Sequence, residues 1–179
     1  FPTRRSSDLQ RCLSRLQLID ALAMQVDRHK GNYFIQYDEN GKVLGVTAID
    51  NDLAFGEVTE VAKFVGEYPG ISKFVDKELA ERIIALRDEQ LVAVMEDLLS
   101  PGEINALLTR LHKLQEHLKK ESTRLLAPDE WNEATAKGML AEFNESRDRK
   151  IEMMKKNPKM KPGGFIINDS YYNRLVSEL

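Results

Sequence analysis

An acid, a histidine and an amide lie within one short loop of this sequence, and two more acids follow a later strand-like run. The loop carries Asp27, His29 and Asn32, and the later run ends in Asp50 and Asp52. Carboxylate and amide oxygens suit Mg²⁺, and a carboxylate or an imidazole can accept a proton. These residue types therefore predict a site that holds a divalent cation beside a proton acceptor.

A β-hairpin is predicted to bring the two parts of this site together. The runs 33–37 and 42–49 are rich in aromatic and β-branched residues. An Asn-Gly pair at 40–41 separates them, and such a pair between two strand-like runs is a strong hairpin signal. Because the hairpin folds the chain back, Asn32 and Asp50 are expected to lie side by side although they are distant in sequence.

The loop resembles the catalytic loop of the phosphatidylinositol 3- and 4-kinase superfamily. Residues 27–32, Asp-Arg-His-Lys-Gly-Asn, fit that family's Asp-Arg-His-x-x-Asn pattern. The Ile-Asp pair at 49–50 fits the hydrophobic-Asp step that opens the family's metal-binding Asp-Phe-Gly. The Asp-Asn pair at 50–51 and the Phe-Gly pair at 55–56 are more similar to the secretory-pathway protein kinases, which share the kinase-like fold.

The resemblance implies a role for each polar residue of this stretch. Asp27 would orient or deprotonate the acceptor hydroxyl, as the catalytic-loop Asp of protein kinases does. His29 would share that work or stabilise the transferring phosphoryl group. Asn32 and Asp50 would hold the Mg²⁺ or Mn²⁺ that bridges the phosphates of ATP.

Two further expectations concern the floor of the nucleotide site and the main metal ligand. By analogy with the family, Phe34 and Ile49 would lie under the adenine ring of ATP. The sequence departs from the family at 51–52, where Phe and Gly are usual, so either Asp50 or Asp52 could be the main metal ligand. Asp50 is favoured because it directly follows the strand.

Taken alone, each of these residues also has an ordinary structural explanation. An Asp at a helix end, followed by Gly and Asn, is often only a turn, and a single His is more often structural. Asn32 could cap a helix, and residues 50–52 could form an Asx-turn after a strand. The combination favours kinase ancestry, and whether the chain is an active enzyme stays open.

The rest of the chain is predicted to be mainly α-helical around the small β-hairpin. Apolar residues recur every three or four positions over 10–26 and again in stripes over 76–145, which indicates helices. A capping box at 100–103 and a proline at position 128 predict two helix starts. By the resemblance, the glycine- and proline-containing segment 57–75 would hold the activation segment and substrate platform; the alternative is a connecting loop with a short helix near 58–65.

The predicted organisation has three parts. Residues 1–9 resemble the translation of a sequencing adaptor and are set aside as an artefact. Residues 10–145 form a kinase-like C-terminal lobe, which comprises the site stretch 25–56 and a helical region over 57–145. Residues 146–179 form a charged linker and a C-terminal segment, because a run of lysines with two prolines interrupts the helical pattern.

The chain is expected to lack the N-terminal lobe of a kinase. That lobe supplies a small sheet, a phosphate-covering loop and a lysine that holds the phosphates. Residues 10–26 contain no glycine-rich loop. The sequence therefore predicts a truncated fragment whose missing N-lobe, from the same full-length protein, would be its partner.

Composition limits the other classes of partner. The net charge of −3 indicates no general affinity for nucleic acid or for an anionic membrane. The hydrophobic fraction of 42% and the charged fraction of 31% are typical of a soluble globular domain. A single cysteine excludes an internal disulfide, and no apolar run is long enough to predict a membrane span. A cytoplasmic and a secreted location both remain open.

Three functions are consistent with these observations. The first is an ATP-dependent phosphotransferase that transfers the γ-phosphate to a protein or lipid hydroxyl, inactive as this fragment. The second is a pseudokinase or helical interaction module that keeps the fold without the chemistry. The third is a metal-dependent glycosyltransferase, because residues 50–52 form an Asp-x-Asp step after a strand, although the alternating strand-helix pattern of a nucleotide-sugar domain is missing.

Overall fold

Helices and two small sheets make up the part of the chain that the computed structural model describes, which is residues 2–25, 27–28, 31–60 and 71–156. The helices are α1 (Pro2–Ala23), α2 (Lys77–Ala85), α3 (Asp88–Met95), α4 (Pro101–Leu118) and α5 (Glu133–Lys156). The strands are β1 (Tyr33–Tyr37), β2 (Val43–Ala48), β3 (Phe74–Asp76) and β4 (Arg124–Leu126). The fold is therefore mixed α/β, with more sheet than the single predicted hairpin.

Helix α1 lies at the centre of the packing, because it contacts β2, β3, α4 and α5. It contributes to two cores, and each fully buried leucine stabilises the fold by roughly 1.5–3 kcal/mol. The first core joins α1 to the hairpin and α5 through Leu13, Tyr33, Val43, Trp131 and Met139. The second joins α1 to β3, α2 and α4 through Leu18, Val75, Ile83, Leu111 and Leu114.

The start of α1 differs from the prediction. The helix begins at Pro2 and so includes most of residues 1–9, which the sequence analysis sets aside as an artefact. Leu9 is fully buried in the first core. In this fold the segment therefore contributes to packing.

The end of α1 also differs, because the helix stops at Ala23 before the predicted end at Val26. Met24 has a left-handed backbone with φ of 57°, and the Gln25 amide donates to the Asp20 carbonyl at 2.9 Å. This is the Schellman pattern that ends many helices. It turns the chain sharply into the loop that carries the candidate residues.

The predicted hairpin is confirmed. Strands β1 and β2 pair antiparallel, with Tyr33 opposite Ala48. In the turn, Gly41 has a φ of 74°, which a residue with a side chain rarely adopts. The Asp38 carboxylate accepts from the Asn40 and Lys42 amides at 2.9 and 2.8 Å, which fixes the turn.

A second, parallel pair of strands was not predicted. Strands β3 and β4 pair in parallel, with Val75 opposite Leu125, and α2, α3 and α4 form the connection between them. Asp76 ends β3 and caps α2, because its carboxylate accepts from the Leu79 amide at 3.0 Å. The same carboxylate accepts from the Arg11 Nε of α1 at 2.6 Å. This pair thus joins the helical region to the central helix.

The capping box that starts α4 is confirmed, since Ser100 Oγ accepts from the Glu103 amide and the Glu103 carboxylate accepts from the Ser100 amide. Residues 58–60 are not helical, and the rest of the optional helix in 57–75 falls largely outside the described residues. None of the described helices combines the length and apolar character needed to cross a bilayer.

The region after residue 126 departs from the predicted helix start and from the predicted linker. Pro128 begins only a short 3₁₀ helix, Pro128–Glu130. Helix α5 starts at Glu133, where the Asn132 side chain accepts from the Ala134 amide at 3.0 Å. It continues to Lys156 through the first part of the predicted charged linker, so no break occurs at 145–146. The remaining residues, 157–179, are outside the described part.

The stability of this fold should depend on the protonation of His117 in α4. Burial lowers the pKa of His117, and the charge of Lys120 acts in the same direction. The unfolded chain, with an ordinary pKa of about 6.5, therefore binds this proton at a higher pH than the folded chain does. Stability should fall as the pH drops below about 6.5, by about 1.4 kcal/mol for each unit of pKa difference.

Urea unfolding at a series of pH values would measure this effect. His117→Gln should flatten this part of the pH profile, because it removes the buried imidazole. A wild-type profile that stays flat from about pH 7 to about pH 5 would contradict the prediction.

Candidate functional site

The candidate residues lie in the loop after α1 and at the end of β2. Asp27 is exposed in the loop, and Asn32 is buried directly before β1. Asp50 and Asp52 are exposed in the segment that follows β2. His29 lies outside the described residues.

The hairpin pairing brings the two chain segments together. The Ile49 amide donates to the Asn32 carbonyl at 3.0 Å, which extends the ladder beyond the Tyr33–Ala48 pair. The backbone of Asn32 therefore lies opposite Ile49 and next to Asp50. The expected adjacency of the loop and the strand end follows from this register.

A buried glutamine joins the loop to the strand end. Gln25 is 1% exposed, and its side chain uses both ends of its amide. Its Nε2 donates to the Asp50 carbonyl at 2.9 Å, and its Oε1 accepts from the Asp27 amide at 3.0 Å. One side chain thus fixes the backbone positions of both candidate carboxylates.

A buried arginine makes a second connection between the same segments. Arg28 is 1% exposed, and its Nη1 donates to the carbonyls of Asn32 and Ile49. Its Nη2 donates to the Asn51 side chain at 2.6 Å. The planar guanidinium therefore holds the loop and the strand end in one arrangement.

Asp20 of α1 anchors this arginine. Arg28 Nε and Nη2 donate to the two carboxylate oxygens of Asp20 at 2.9 and 3.0 Å. Burial raises the pKa of the Asp20 carboxyl, and the hydrogen bond and charge of Arg28 oppose that rise. The pair ties the loop to the central helix in a bidentate geometry.

The Asn32 side chain is oriented by the loop. Its Nδ2 donates to the Asp27 carbonyl at 2.8 Å. Its other polar atom, Oδ1, accepts no hydrogen bond from the residues that the structure describes. The amide oxygen is therefore the atom of Asn32 that fits a cation or another donor.

The strand end turns sharply at Asp50, whose φ is 55°. Asp and Asn tolerate this left-handed conformation better than most residues with a side chain. Asp52 lies in the following turn, where the Ala54 amide donates to the Asn51 carbonyl at 3.1 Å. The Phe55 amide then donates to the Ala23 carbonyl, which returns the chain to the end of α1.

The outer face of the hairpin carries one of the residues expected to lie under adenine. Side chains alternate along a strand, so Phe34 points to the same face as its partner Thr47. Phe34 is 61% exposed, and Ile49, directly after β2, is half-buried.

Arg110 of α4 fixes the segment that follows the strand end. It is fully buried, and its Nε donates to the Leu22 carbonyl near the end of α1 at 2.8 Å. Its Nη1 donates to the carbonyls of Gly56 and Val58 at 3.3 and 2.5 Å. Burial lowers the pKa of Arg110. Helix α4 thus holds this segment against the central helix.

The residues that position the site were not predicted from the sequence. Arg28 lies inside the resembling loop pattern, so it could have been identified there, whereas Asp20 lies outside that pattern and Arg110 is distant in sequence from its partners. The only signal for these two is a charged residue on the inward face of a predicted helix. Such residues are rarely buried unless they are paired.

Among the residues with described structure, no three His, Cys, Asp or Glu side chains are arranged to hold a metal ion. A site built from Asn32 and Asp50 would be of another kind, with few protein ligands. Mg²⁺ accepts such sites when phosphate oxygens and water complete its shell.

No protein-family model, no curated protein and no solved structure matches this chain.

Proposed function

We propose that this chain is the catalytic-loop part of a kinase-like C-terminal lobe, from an ATP-dependent phosphotransferase that acts on a protein or lipid hydroxyl. The observation that carries the proposal is the double connection made by Gln25 and Arg28. Both side chains are buried, and both hydrogen-bond to the loop and to the strand end. Phosphoryl transfer depends mainly on positioning and charge neutralisation, and a rigid loop pair supports both.

In this proposal Asp27 is the base. It is exposed, so an acceptor hydroxyl can reach its carboxylate, while its amide and carbonyl are held by Gln25 and Asn32. His29 shares this work or stabilises the transferring group. A fixed backbone with an exposed side chain supports proton transfer to a positioned base.

The cation, Mg²⁺ or Mn²⁺, would be held by Asn32 Oδ1 and the Asp50 carboxylate, with Asp52 as the alternative ligand. Asn32 Oδ1, to which no described residue donates a hydrogen bond, and the exposed carboxylate of Asp50 support this assignment. When bound, the ion would neutralise the phosphates of ATP. The exposed Phe34 and the half-buried Ile49 would lie under the adenine ring.

The proposal includes a partner N-lobe that covers the phosphates and supplies a lysine. Without such a lobe, the chain should bind Mg-ATP weakly and turn it over slowly or not at all. Supplying the lobe from the full-length protein should give phosphoryl transfer that Asp27→Ala abolishes.

Titration of the chain with ATP, with and without Mg²⁺, tests the proposal directly. Asp50→Asn is the informative variant, because Asn tolerates the left-handed backbone at this position while the charge is lost. We expect its Kd for Mg-ATP to rise about tenfold or more, which is about 1.4 kcal/mol.

Glu39→Gln provides the matched control, since it removes one carboxylate charge at the opposite end of the same hairpin. Its Kd should equal that of the wild type. ATP binding that is equally strong in Asp50→Asn, or that does not depend on Mg²⁺, would refute the proposed metal site.

A second candidate is an interaction module that keeps the fold without catalysis. The exposure of Val94 and Leu98, at 69% and 73%, favours it, because one of these apolar side chains lies in the last turn of α3 and the other in the turn that follows it. Tight binding of a protein partner that is lost in Val94→Asp, and unaffected by Asp50→Asn and by Mg²⁺, would support this candidate over the first.

A further inference from the structure

The exposed face of the hairpin carries a polar pair beside Phe34. Gln36 follows Phe34 by two residues on β1, so both side chains point to the same face. Gln36 Nε2 donates to Thr47 Oγ1 at 2.8 Å, and Thr47 lies directly opposite Phe34. This hydrogen bond fixes the Gln36 amide on the face that carries Phe34.

Most of the hydrogen-bonding capacity of this amide is unused by the described residues. The Nε2 group has two N–H donors, and Thr47 accepts one of them. Among the described residues, nothing else hydrogen-bonds to the second N–H or to Oε1. The face therefore presents one donor and one acceptor next to an aromatic ring that is 61% exposed.

The strand opposite carries a glycine at this point. Gly45 lies across from Gln36, and a Cβ there would come within 3.4 Å of Gln36 Oε1, an ordinary contact distance, so this oxygen lies against β2. A cross-strand Gln–Thr pair can also be an ordinary surface contact. The unused donor and acceptor on the face of the exposed ring favour a ligand.

We propose that Gln36 selects adenine over guanine on this face of the hairpin. This inference rests on the proposed phosphotransferase function and adds the residue that determines its nucleotide specificity. A glutamine amide pairs with adenine through its acceptor to N6–H and its donor to N7, whereas guanine presents two acceptors, O6 and N7, on the same edge. Phe34 provides the stacking surface, a contact that tolerates any base.

Competition between ATP and GTP against a fluorescent ATP analogue, in the presence of Mg²⁺, tests the inference. The wild type should favour ATP over GTP by about 5- to 150-fold, which is the range for one good bidentate base contact. Gln36→Ala should bring the ratio of ATP affinity to GTP affinity close to one. Gln36→Arg should favour GTP, because arginine donates twice to guanine O6 and N7.

Two further variants separate selection from simple contact. Thr47→Val frees the Gln36 amide without changing the shape of the face, so it should reduce the preference while retaining ATP binding. Phe34→Ala should weaken the binding of ATP and of GTP to a similar extent, because it removes only the stacking contact with the base. Glu39→Gln should match the wild type in both affinities.

Failure of the inference and failure of the proposed function give different results. Suppose that the wild type binds Mg-ATP, and that both Gln36→Ala and Gln36→Arg keep the wild-type ratio of ATP affinity to GTP affinity. The inference is then overturned, and the phosphotransferase proposal stands. If the wild type binds neither nucleotide, both are overturned. If Phe34→Ala changes only the oligomeric state in light scattering, the face is a surface for a second copy, and the inference is again overturned.

Discussion

Arg28→Met should lower the free energy of unfolding by about 3–5 kcal/mol, the cost of leaving a buried charge without its partner. The carboxylate of Asp20, which is 2% exposed, would lose both of its hydrogen bonds from Arg28. The carbonyls of Asn32 and Ile49 would lose their shared donor as well. The loop and the strand end would then separate, so urea unfolding should show a lower midpoint.

A double-mutant cycle would show whether the pair acts as a unit. Asp20→Leu alone should lower the free energy of unfolding by a similar amount, because it leaves the buried Arg28 guanidinium without its carboxylate partner. The combination of Arg28→Met and Asp20→Leu should cost much less than the sum of the two, since apolar residues often replace a buried ion pair well. Additive losses of stability would contradict the proposed coupling. Arg15→Met serves as the control, because Arg15 lies on α1, as Asp20 does, but is partly exposed.

Arg110→Ala should cost about 3 kcal/mol, because three backbone carbonyls lose hydrogen bonds to a charged donor. Arg110→Lys should recover little of this loss, since one ammonium cannot match the fixed fork of the guanidinium. Part of this destabilisation should be confined to the segment that Arg110 contacts. Hydrogen exchange should accelerate at residues 56–58, which Arg110 holds against α1, more than at β3.

Lys113→Ala is the matched control for this prediction. Lys113 lies one turn further along α4, is exposed, and donates to the Thr59 carbonyl at 3.0 Å. Its loss should cost less than about 0.5 kcal/mol, as is usual for surface positions. Equal losses in Arg110→Ala and Lys113→Ala would contradict a special role for the buried guanidinium.

The features that the sequence predicted correctly are those with a complete local signal. The Asn-Gly turn at 40–41 and the Ser100 capping box each lie within four residues, and the structure has both. Because the hairpin register follows from its turn, the adjacency of Asn32 and Asp50 was also accessible.

The features that the sequence did not reveal depend on distant contacts. Strands β3 and β4 have only three residues each, and they pair because α1 and the helices between them hold them together. The end of α1 at Met24 requires a left-handed methionine, for which propensity gives no signal. Helix α5 continues through a charged segment to Lys156, because Glu, Lys and Arg are good helix formers and a run of charge does not by itself end a helix.

The central position of α1 has a consequence for synthesis on the ribosome. Among the elements that the structure describes, α1 precedes β2, β3, α4 and α5, which it contacts, and the last three follow only after many further residues. The side of α1 that packs against these elements therefore stays uncovered by them until they are synthesised. Such a delay slows folding and exposes nascent chains to aggregation. Chaperone dependence during translation is thus expected to be greatest for variants that weaken the late-arriving helices.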